Sequence, residues 1–214
     1  MKDQWVFGWT QVLTIAGLLL TATVSGLGLR TFAKWRREAI EGRRIEAAVE
    51  ALSLAYHAKW IFENIRGPIV YEYEYEKMPE RSGESDDSRG RRGKYFAVLE
   101  RLQRNGEFFK SIWNIQPRMM ALFGPDVEEI FLELHKVRRQ IEVSAGLLYQ
   151  HYISEIGITP TADTKKLRRE QLEDIDWAEA SAAEGGDRVK EKLAVFQAKM
   201  ERLCRPIVEK GYRG

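Results

Sequence analysis

The side chains most suited to acid–base chemistry lie close together on one patterned segment. His135, Arg138, Arg139 and Glu142 could combine a proton-transfer group with two cations that hold an anion. Glu133 precedes His135 by two residues, so the two side chains point to different faces of a helix, and the Glu-x-x-His spacing of di-iron bundles is absent. These residues define an enzyme hypothesis, which requires the scattered charges to converge in a closed cavity.

The three histidines and the single cysteine do not form a metal-binding pattern. We expect His57, His135 and His151 to lie on the surface or to pack between helices. One cysteine excludes an intramolecular disulfide and a multi-cysteine metal cluster. Cys204 follows Leu203 on an apolar helix face, which predicts a buried thiol. The sequence therefore predicts no metal and no other cofactor.

Common catalytic motifs are missing from the sequence. There is no Gly-x-Ser-x-Gly nucleophile elbow, no Gly-x-x-x-x-Gly-Lys-Ser/Thr loop and no Gly-x-Gly-x-x-Gly motif. The 34 basic and 32 acidic residues leave a formal net charge of +2, which lacks the basic excess of a nucleic-acid-binding domain. We predict that the protein is not an enzyme and does not bind nucleic acid.

Tyrosine and glutamate alternate from Tyr71 to Glu76. A period of two places the three tyrosines on one side of an extended segment. Phosphorylation or the binding of an aromatic ligand is one interpretation of this pattern. The simpler interpretation, which we favour, is a loop or edge segment that lays its tyrosines on the helical domain.

A long uncharged segment dominates the N-terminal part of the chain. No charged residue occurs between Gln4 and Leu29, and a helix needs about 20 mostly apolar residues to cross the hydrocarbon core of a bilayer. Along such a helix Trp9 and Trp35 lie about 39 Å apart, close to the full thickness of a bilayer, as expected for two aromatic belts. The pattern predicts a transmembrane helix at residues 5–29.

A cleaved signal peptide is the alternative interpretation of this segment. Signal peptides have a basic start, an apolar core of about 7–15 residues and a cleavage site made of small residues. Residues 1–4 contain one lysine beside one aspartate, and the apolar segment exceeds that length. The small residues from Ala22 to Gly26 fit a cleavage site, but the length favours the membrane anchor.

Basic residues after the apolar segment predict its orientation. Six basic and two acidic residues occur between Arg30 and Arg44, and Lys and Arg that flank a span stay on the cytoplasmic side. The cluster nearest the helix consists of Arg30, Lys34, Arg36 and Arg37. The sequence thus predicts a single-pass protein of the cell (inner) membrane, with its N-terminus outside and its C-terminal domain cytoplasmic.

Small residues recur along the predicted span. Gly17, Thr21 and Ser25 are spaced by four residues, and Ala22 and Gly26 form a parallel pair. Small residues at this spacing allow two helix backbones to approach closely in a membrane. The spacing predicts a homodimer formed through the span, and it also underlies an alternative function as an oligomeric membrane effector or pore.

Apolar residues recur with a helical period over most of the remaining chain. The pattern predicts an all-α fold, in which the transmembrane helix is followed by a cytoplasmic antiparallel bundle of about four main helices. The first of these continues from the membrane to Gly67-Pro68 and should bury Ile45, Val49, Leu52 and Tyr56. The others are expected from near Lys94 to before Pro117, from Pro125 to near Gly157, and from Asp187 to about Lys210.

The core and N-cap of these helices can also be predicted. Leu134 and Ile141 lie seven residues apart on the best-patterned helix, so both should be buried. Asp187 should cap the last helix, and Pro206 should strain its final turn.

Low-complexity segments separate the predicted helices. Residues 80–93 contain no large apolar side chain and several glycines, so burial cannot offset the entropy lost on ordering. We predict a mobile loop at 77–93 and a weakly structured segment at 158–186, which includes a short helix from Lys165 to Trp177. The predicted divisions are an extracytoplasmic N-terminus at 1–4, the span at 5–29, a basic juxtamembrane segment at 30–44 and a cytoplasmic domain at 45–214.

Two segments support a broader comparison. Residues 134–145 and 201–206 resemble stretches of uncharacterised bacterial proteins with one N-terminal span and a helical cytoplasmic region. The resemblance covers about half of the chain. It implies a bacterial source and the cytoplasmic membrane, and it implies no activity, cofactor or catalytic residue.

These observations favour an interaction or scaffold module that is anchored in the membrane, and a regulatory role is one form that this function could take. Its expected partners are the lipid bilayer, another protein and a second copy of the chain. The enzyme hypothesis requires charges that converge in a cavity, whereas the scaffold hypothesis requires an exposed apolar groove.

Overall fold

The computed structural model describes residues 3–151 and 161–212, with side chains at 8–150 and 161–210. All regular structure in these residues is helical, which confirms the all-α prediction for the part described. The helices are α1 (Asp3–Ile65), α2 (Asp86–Arg104), α3 (Gly106–Phe123), α4 (Val127–His151), α5 (Ala162–Ile175), α6 (Trp177–Ala182) and α7 (Arg188–Tyr212), with one 3-10 turn at Glu72–Glu74. The predicted helix end near Gly157 and residues 1–2 lie outside the described residues.

Contacts between residues divide the chain into two units, Met1–Ile45 and Glu46–Gly214. The part of α1 in the first unit is long enough and apolar enough to cross a membrane, judged by its length and composition. Its apolar side chains are exposed, including Trp9 and Trp35.

The threonines in this part of α1 keep their hydroxyls paired within the helix. Thr14, Thr21 and Thr23 each donate to the carbonyl four residues earlier, at 2.7–2.8 Å. Such pairing satisfies a hydroxyl that finds no water in a hydrocarbon environment. These polar residues are therefore compatible with a membrane-crossing helix.

In the second unit, α1 buries a row of alanines. The sequence predicted that Ile45, Val49, Leu52 and Tyr56 form the buried stripe, and this prediction was wrong, because Val49 and Tyr56 are 43% and 39% exposed. The buried row instead consists of Ala48, Ala51, Ala55, Ala58, Phe62 and Ile65, at alternating spacings of three and four residues. Small side chains let a helix backbone approach its neighbours closely, so the larger residues lie at the flanks of the contact.

Helix α4 lies at the centre of this unit and contacts α2, α3, α5 and α7. Leu134 and Ile141 are buried as predicted, at 1% and 0% exposure. They belong to one continuous apolar core that also contains Phe131, Val137 and Phe196. The inward face of α4 therefore supplies the main apolar surface on which the other helices pack.

Helix α2 begins eight residues earlier than predicted. We expected a loop at 77–93 and a helix from near Lys94, whereas α2 starts at Asp86. The side chain of Ser85 accepts a hydrogen bond from the Ser88 amide, and acidic Asp86 and Asp87 occupy the first turn. These local signals explain the early start despite the absence of large apolar residues.

The break between α2 and α3 also differs from the prediction. The sequence placed a bend or end before Pro117, but the chain breaks at Asn105, and Pro117 lies inside α3. Asn105 caps the end of α2, since its backbone N–H donates to the carbonyl of Arg101 at 3.1 Å.

The last helices follow the sequence pattern more closely. Helix α5 starts before the predicted short helix and ends at Ile175, two residues before the predicted end at Trp177, where α6 begins. Both helices lie in the segment expected to be weakly structured. Asp187 caps α7 as predicted, since its Oδ1 accepts from the amides of Val189 and Lys190 at 3.0 Å. Pro206 lies inside α7, which continues to Tyr212. The predicted strain at this proline stays a prediction.

Truncation of Leu134 tests the central role of α4. We expect Leu134→Ala to lower the free energy of unfolding of the second unit by about 2–5 kcal/mol, since it removes buried methyl groups and leaves a cavity. Leu132 lies on the same helix but is 41% exposed, so Leu132→Ala should cost much less and serves as the matched control. Chemical denaturation of both variants provides the measurement, and equal losses would contradict the assigned core face.

Candidate functional site

The charged residues of the enzyme hypothesis do not surround a closed cavity. The Nε2–H of His135 donates a hydrogen bond to the side-chain oxygen of Gln116 at 3.0 Å, and its ring stacks on Trp113 at a centroid distance of 4.2 Å. Burial and the nearby Arg138 guanidinium lower the pKa of His135 below its usual value. His135 therefore packs between α3 and α4 as a largely neutral side chain.

The other three residues of this group do not converge on His135, because Arg138 packs on α3 and Arg139 pairs with Glu142. The guanidinium of Arg138 lies over the ring of Phe109, 4.6 Å from its centroid, which is a cation–π contact. Arg139 and Glu142 form an ion pair at 3.6 Å on the exposed side of α4. The depression beside His135 and Arg139 is open and lined by residues of α4 alone. This arrangement provides neither a shielded base nor a defined substrate pocket.

The remaining histidines and the cysteine are separated from one another. His57 is exposed, and the side chain of His151 lies outside the described residues. Cys204 is fully buried as predicted, and burial raises the pKa of its thiol to about 11, so it stays protonated at neutral pH. Within the described residues, no group of three or more His, Cys, Asp or Glu could hold a metal ion.

A groove of about 550 Å³ lies between α1, α6 and α7 in the second unit. It falls within the size range of about 300–1,000 Å³ that is typical of ligand pockets. Phe62 and Leu193 are among its apolar lining residues, and both are buried. Lys59, Glu63, Lys190, Gln197 and Ser181 supply its polar groups.

Small side chains leave space for this groove. Ala55 and Ala58 line it from α1, and Ala194 lines it from α7. Where helices present alanines, no large side chain fills the space beside the helix contact. The same alanine row that packs α1 into the core thus borders the opening.

One end of the groove is fixed by a buried arginine. Arg66 donates from Nη1 to Asp187 Oδ2 at 2.9 Å, and from Nε and Nη2 to the carbonyls of Asp174 and Glu173, each at 2.8 Å. These carbonyls belong to the last turn of α5, where a cation compensates the partial negative charge of the helix end. Arg66 therefore joins the end of α1 to the end of α5 and the N-cap of α7.

Asp174 extends this polar network towards α4. Its carboxylate accepts from Gln140 at 2.6 Å, from Ser144 at 2.9 Å and from Arg188 at 3.2 Å. A buried carboxylate with several donors keeps its charge compensated. The network holds α4, α5 and α7 in register beside the groove.

A second buried arginine caps the end of α1. Arg101 donates to both carboxylate oxygens of Glu74, at 2.8 and 2.6 Å, and to the carbonyls of Gly67 and Ile69, at 2.8 and 2.7 Å. The hydrogen bonds from Arg101 are the main reason that the pKa of Glu74 is lowered. Arg101 thereby satisfies backbone carbonyls that follow the end of α1.

The tyrosine–glutamate segment is built around this ion pair. The extended conformation expected from Tyr71 to Glu76 was wrong, because a 3-10 turn at Glu72–Glu74 turns Glu74 inward. Tyr75 packs closely on Gly93, where a Cβ atom would lie only 2.7 Å from the ring. Tyr71 and Tyr73 stay exposed and stack on each other at 5.7 Å. The favoured interpretation, that the tyrosines lie on the domain, therefore holds for Tyr75 and is wrong for Tyr71 and Tyr73.

A third buried arginine lies in the segment predicted to be a mobile loop. Arg92 is fully buried and donates to Glu84, to the carbonyl of Pro79 at 2.9 Å and to the hydroxyl of Tyr149 at 3.1 Å. The hydrogen bonds with Glu84 raise the pKa of Arg92 and lower that of Glu84. The segment therefore gains its fixed position from charge-assisted hydrogen bonds.

The residues predicted to orient and pair the span are all exposed in α1. Arg30, Lys34, Arg36 and Arg37 lie on the helix after the apolar segment, and Lys34 pairs with Glu38 at 3.7 Å. In the small-residue row, the hydroxyl of Thr21 donates to the carbonyl of Gly17 at 2.8 Å. The other members of that row, Ala22, Ser25 and Gly26, are also exposed.

The groove and the buried arginines were not predicted from the sequence. The spacing of the alanines was a weak signal for the buried face of α1, because the larger apolar residues are a stronger indicator of burial than alanine. Arginine is usually exposed, so the residue type alone gives no signal for burial. The acidic partners of two of these arginines are distant in sequence, since Arg101 and Glu74 are 27 residues apart and Arg66 and Asp187 are 121 residues apart. Such contacts cannot be inferred from local spacing.

Comparison of the chain with protein-family models, with curated proteins and with solved structures finds no match. The resemblance of residues 134–145 and 201–206 to bacterial single-span proteins therefore stays an expectation.

The Glu74–Arg101 pair generates a prediction about pH dependence. The pKa of Glu74 is lowered in the folded state, so its contribution to stability is present above the unfolded pKa of about 4.5 and is lost as the pH falls through the folded pKa. Glu74→Gln should cost about 3–5 kcal/mol near neutral pH, because it leaves buried Arg101 without its carboxylate. The difference from the parent should shrink in acid.

Thermal unfolding across acidic and neutral pH measures this effect. Glu72→Gln provides the matched control, because Glu72 lies in the same turn and is exposed. A Glu74→Gln loss that is as small as that of Glu72→Gln, or that does not change with pH, would contradict the assigned role of the pair.

Proposed function

We propose that the protein is a membrane-anchored helical interaction module, with a scaffold or regulatory role, whose second unit lies in the cytoplasm. The apolar part of α1, with its exposed Trp9 and Trp35, supports the anchor. The groove between α1, α6 and α7 supports binding of another protein, and it is the observation on which this function rests. Its apolar lining and polar edge are typical of protein-binding grooves.

The proposed topology follows from the basic cluster. Arg30, Lys34, Arg36 and Arg37 follow the apolar segment, and such residues stay on the cytoplasmic side of a span. In this proposal the protein crosses the cell (inner) membrane of a bacterium once. Its first residues face outward, and the helices that follow form an antiparallel bundle in the cytoplasm.

Self-association through the span is a second part of the proposal. Gly17 and Gly26 have open space where a Cβ atom would be, with no heavy atom within 4 Å. Two copies can therefore bring their backbones close along the row of small residues. A homodimer of this kind is also the first step towards the alternative function as an oligomeric effector or pore.

The enzyme hypothesis receives less support. His135, Arg138, Arg139 and Glu142 are occupied by packing contacts or exposed pairs, as described above. We therefore assign the binding role to the groove and propose no catalytic residue.

Reporter fusions test the topology. An enzyme that is active only in the cytoplasm should be active when fused after Gly214, and a reporter that requires export should be silent there. Neutral substitution of Arg30, Lys34, Arg36 and Arg37 together should weaken this preference. Activity of the exported reporter in the parent fusion would contradict the proposed orientation.

A substitution that fills the groove tests the binding role. Ala194 lines the groove and is exposed, so Ala194→Trp should fill part of it without disturbing the core. Ala198 is exposed one turn later on α7 and does not line the groove, which makes Ala198→Trp the matched control. We expect the amount of partner captured by Ala194→Trp to be at least tenfold lower than that captured by the parent, since blocking the centre of an interface removes its main contacts.

Affinity capture of the detergent-solubilised protein, followed by identification and quantification of the bound proteins, provides the measurement. The parent and Ala198→Trp should retain the same partner, and Ala194→Trp should lose it. Equal capture by all three variants would contradict the assignment of binding to the groove. Capture of no protein beyond a tag-only control would contradict the interaction module itself.

A further inference from the structure

One side of α1 in the second unit carries large apolar side chains that its own bundle leaves exposed. Val49 is 43% exposed, Tyr56 is 39% exposed and Trp60 is 66% exposed, and Ser53 lies among them and is exposed too. These four residues form the exposed row of α1. Val49 and Ala58 of the buried row are nine residues apart, about two and a half turns, so the two rows lie on opposite sides of the helix.

The exposed row has the spacing of a two-stranded coiled coil. Its members alternate at intervals of four and three residues, which is the interval of the residues that meet between paired helices. Counting back from Val49 by four heptads reaches Thr21, and counting back from Ser53 by four heptads reaches Ser25. Thr21 and Ser25 belong to the small-residue row of the predicted span. The same repeat therefore holds both rows, and both lie on the single helix Asp3–Ile65.

Two glycines in this repeat leave room for a second helix. Gly42 and Gly28 lie one and three heptads before Val49, and no heavy atom lies within 4 Å of the point where a Cβ atom would be at either glycine. Trp35 occupies the position between them in the repeat and is exposed. Glycines allow the backbones of paired helices to approach closely, and an exposed tryptophan supplies a large apolar surface to the same contact.

The charges beside this repeat are compatible with a second copy of the chain. Glu38 and Arg43 flank the repeat on its two sides, so in a parallel coiled coil Glu38 of one copy faces Arg43 of the other. Glu46 lies in the repeat just before the exposed row, and it pairs with Arg118 at 3.2 Å. Glu63 occupies the next position after Trp60 and ends the apolar row.

We propose that the exposed row of α1 binds the same row of a second copy in a parallel two-stranded coiled coil. The inference rests on the proposed self-association through the span, and it extends that contact into the second unit. Both copies enter the membrane in the same direction, so their α1 helices are parallel and equal residues face each other. The buried alanine row stays packed in its own bundle, because it lies on the other side of the helix.

Disulfide crosslinking of the full-length protein tests this contact. Ser53→Cys places a thiol in the exposed row, Ser25→Cys places one in the span four heptads earlier, and His57→Cys is the matched control, since His57 is exposed on the same helix but lies outside the repeat. Cys204 is buried and the pKa of its thiol is raised to about 11, so the parent should not crosslink.

The purified variants are reconstituted at low density into phosphatidylcholine vesicles and oxidised with copper–phenanthroline, and covalent dimers are quantified by non-reducing electrophoresis. We expect the thiols at 25 and at 53 to crosslink about tenfold faster than the thiol at 57, because a disulfide requires Cα atoms within about 7 Å of each other.

A charge placed in the row gives an independent test. In the Ser53→Cys protein, Val49→Asp brings two aspartates face to face and should slow crosslinking about tenfold, because like charges in an interface repel. His57→Asp adds the same charge outside the repeat and should leave the rate unchanged. Val49 and His57 are both exposed, so neither change should disturb the core.

Different results separate this inference from the span dimer. Crosslinking at 25 without crosslinking at 53 would refute the pairing of the exposed row and leave the span dimer in place. Crosslinking at neither position would contradict self-association through the span as well. Equal rates at 53 and 57, or a rate at 53 that Val49→Asp does not change, would overturn the assignment of the contact to this row.

Discussion

The buried ion pair between Arg66 and Asp187 is the interaction on which the arrangement around the groove depends. Arg66 follows the last residue of α1, and Asp187 caps α7, so the pair joins two helix ends that lie far apart in sequence. The other donors of Arg66 bind the final carbonyls of α5. Charge-assisted hydrogen bonds are directional, and a single guanidinium therefore fixes the relative positions of three helix ends.

The two other buried arginines use the same chemistry. Arg101 binds Glu74 and the carbonyls after α1, and Arg92 binds Glu84 and the carbonyl of Pro79. In each case one carboxylate compensates the charge, and backbone carbonyls outside regular helix accept further hydrogen bonds, together with the Tyr149 hydroxyl in the case of Arg92. The segment from Gly67 to Ser85 is fixed mainly by these polar contacts, whereas the helices themselves pack through the apolar core.

The apolar core and the buried polar contacts act at different places, and the groove can therefore stay open while its walls are held in place. The apolar core lies on the inward faces of α4 and its neighbours, and the alanines of α1 and α7 leave space at one edge. Packing alone would favour closure of such a space, because unfilled apolar volume destabilises a fold. Arg66 and the Asp174 network hold α5 and α7 at the end of the groove and oppose that closure. A rigid, partly apolar groove suits the proposed binding of another protein.

The sequence predicted the features that depend on local patterns. The end of α1 before Gly67-Pro68, the buried Leu134 and Ile141, and the Asp187 cap each follow from a few neighbouring residues. The buried face of α1 could not be predicted in this way, because the large apolar residues are as well spaced as the alanines. The predicted start of α2 was too late, because we compared the entropy lost on ordering only with the burial of apolar side chains. The hydrogen bonds of Arg92 also stabilise this segment. The groove depends on contacts between distant segments and lay beyond any local pattern.

Hydrogen exchange of Arg66→Met tests most directly whether this arginine fixes the helix ends around the groove. Arg205→Met is the control, because Arg205 is exposed and bonds the hydroxyl of Tyr56 at 3.2 Å. We expect faster exchange in Arg66→Met at the last turn of α5, in α6 and at the first turn of α7, with the inward amides of α4 unchanged. Exchange that stays at the parent's rate in these turns, or that rises equally in all helices, would contradict the account.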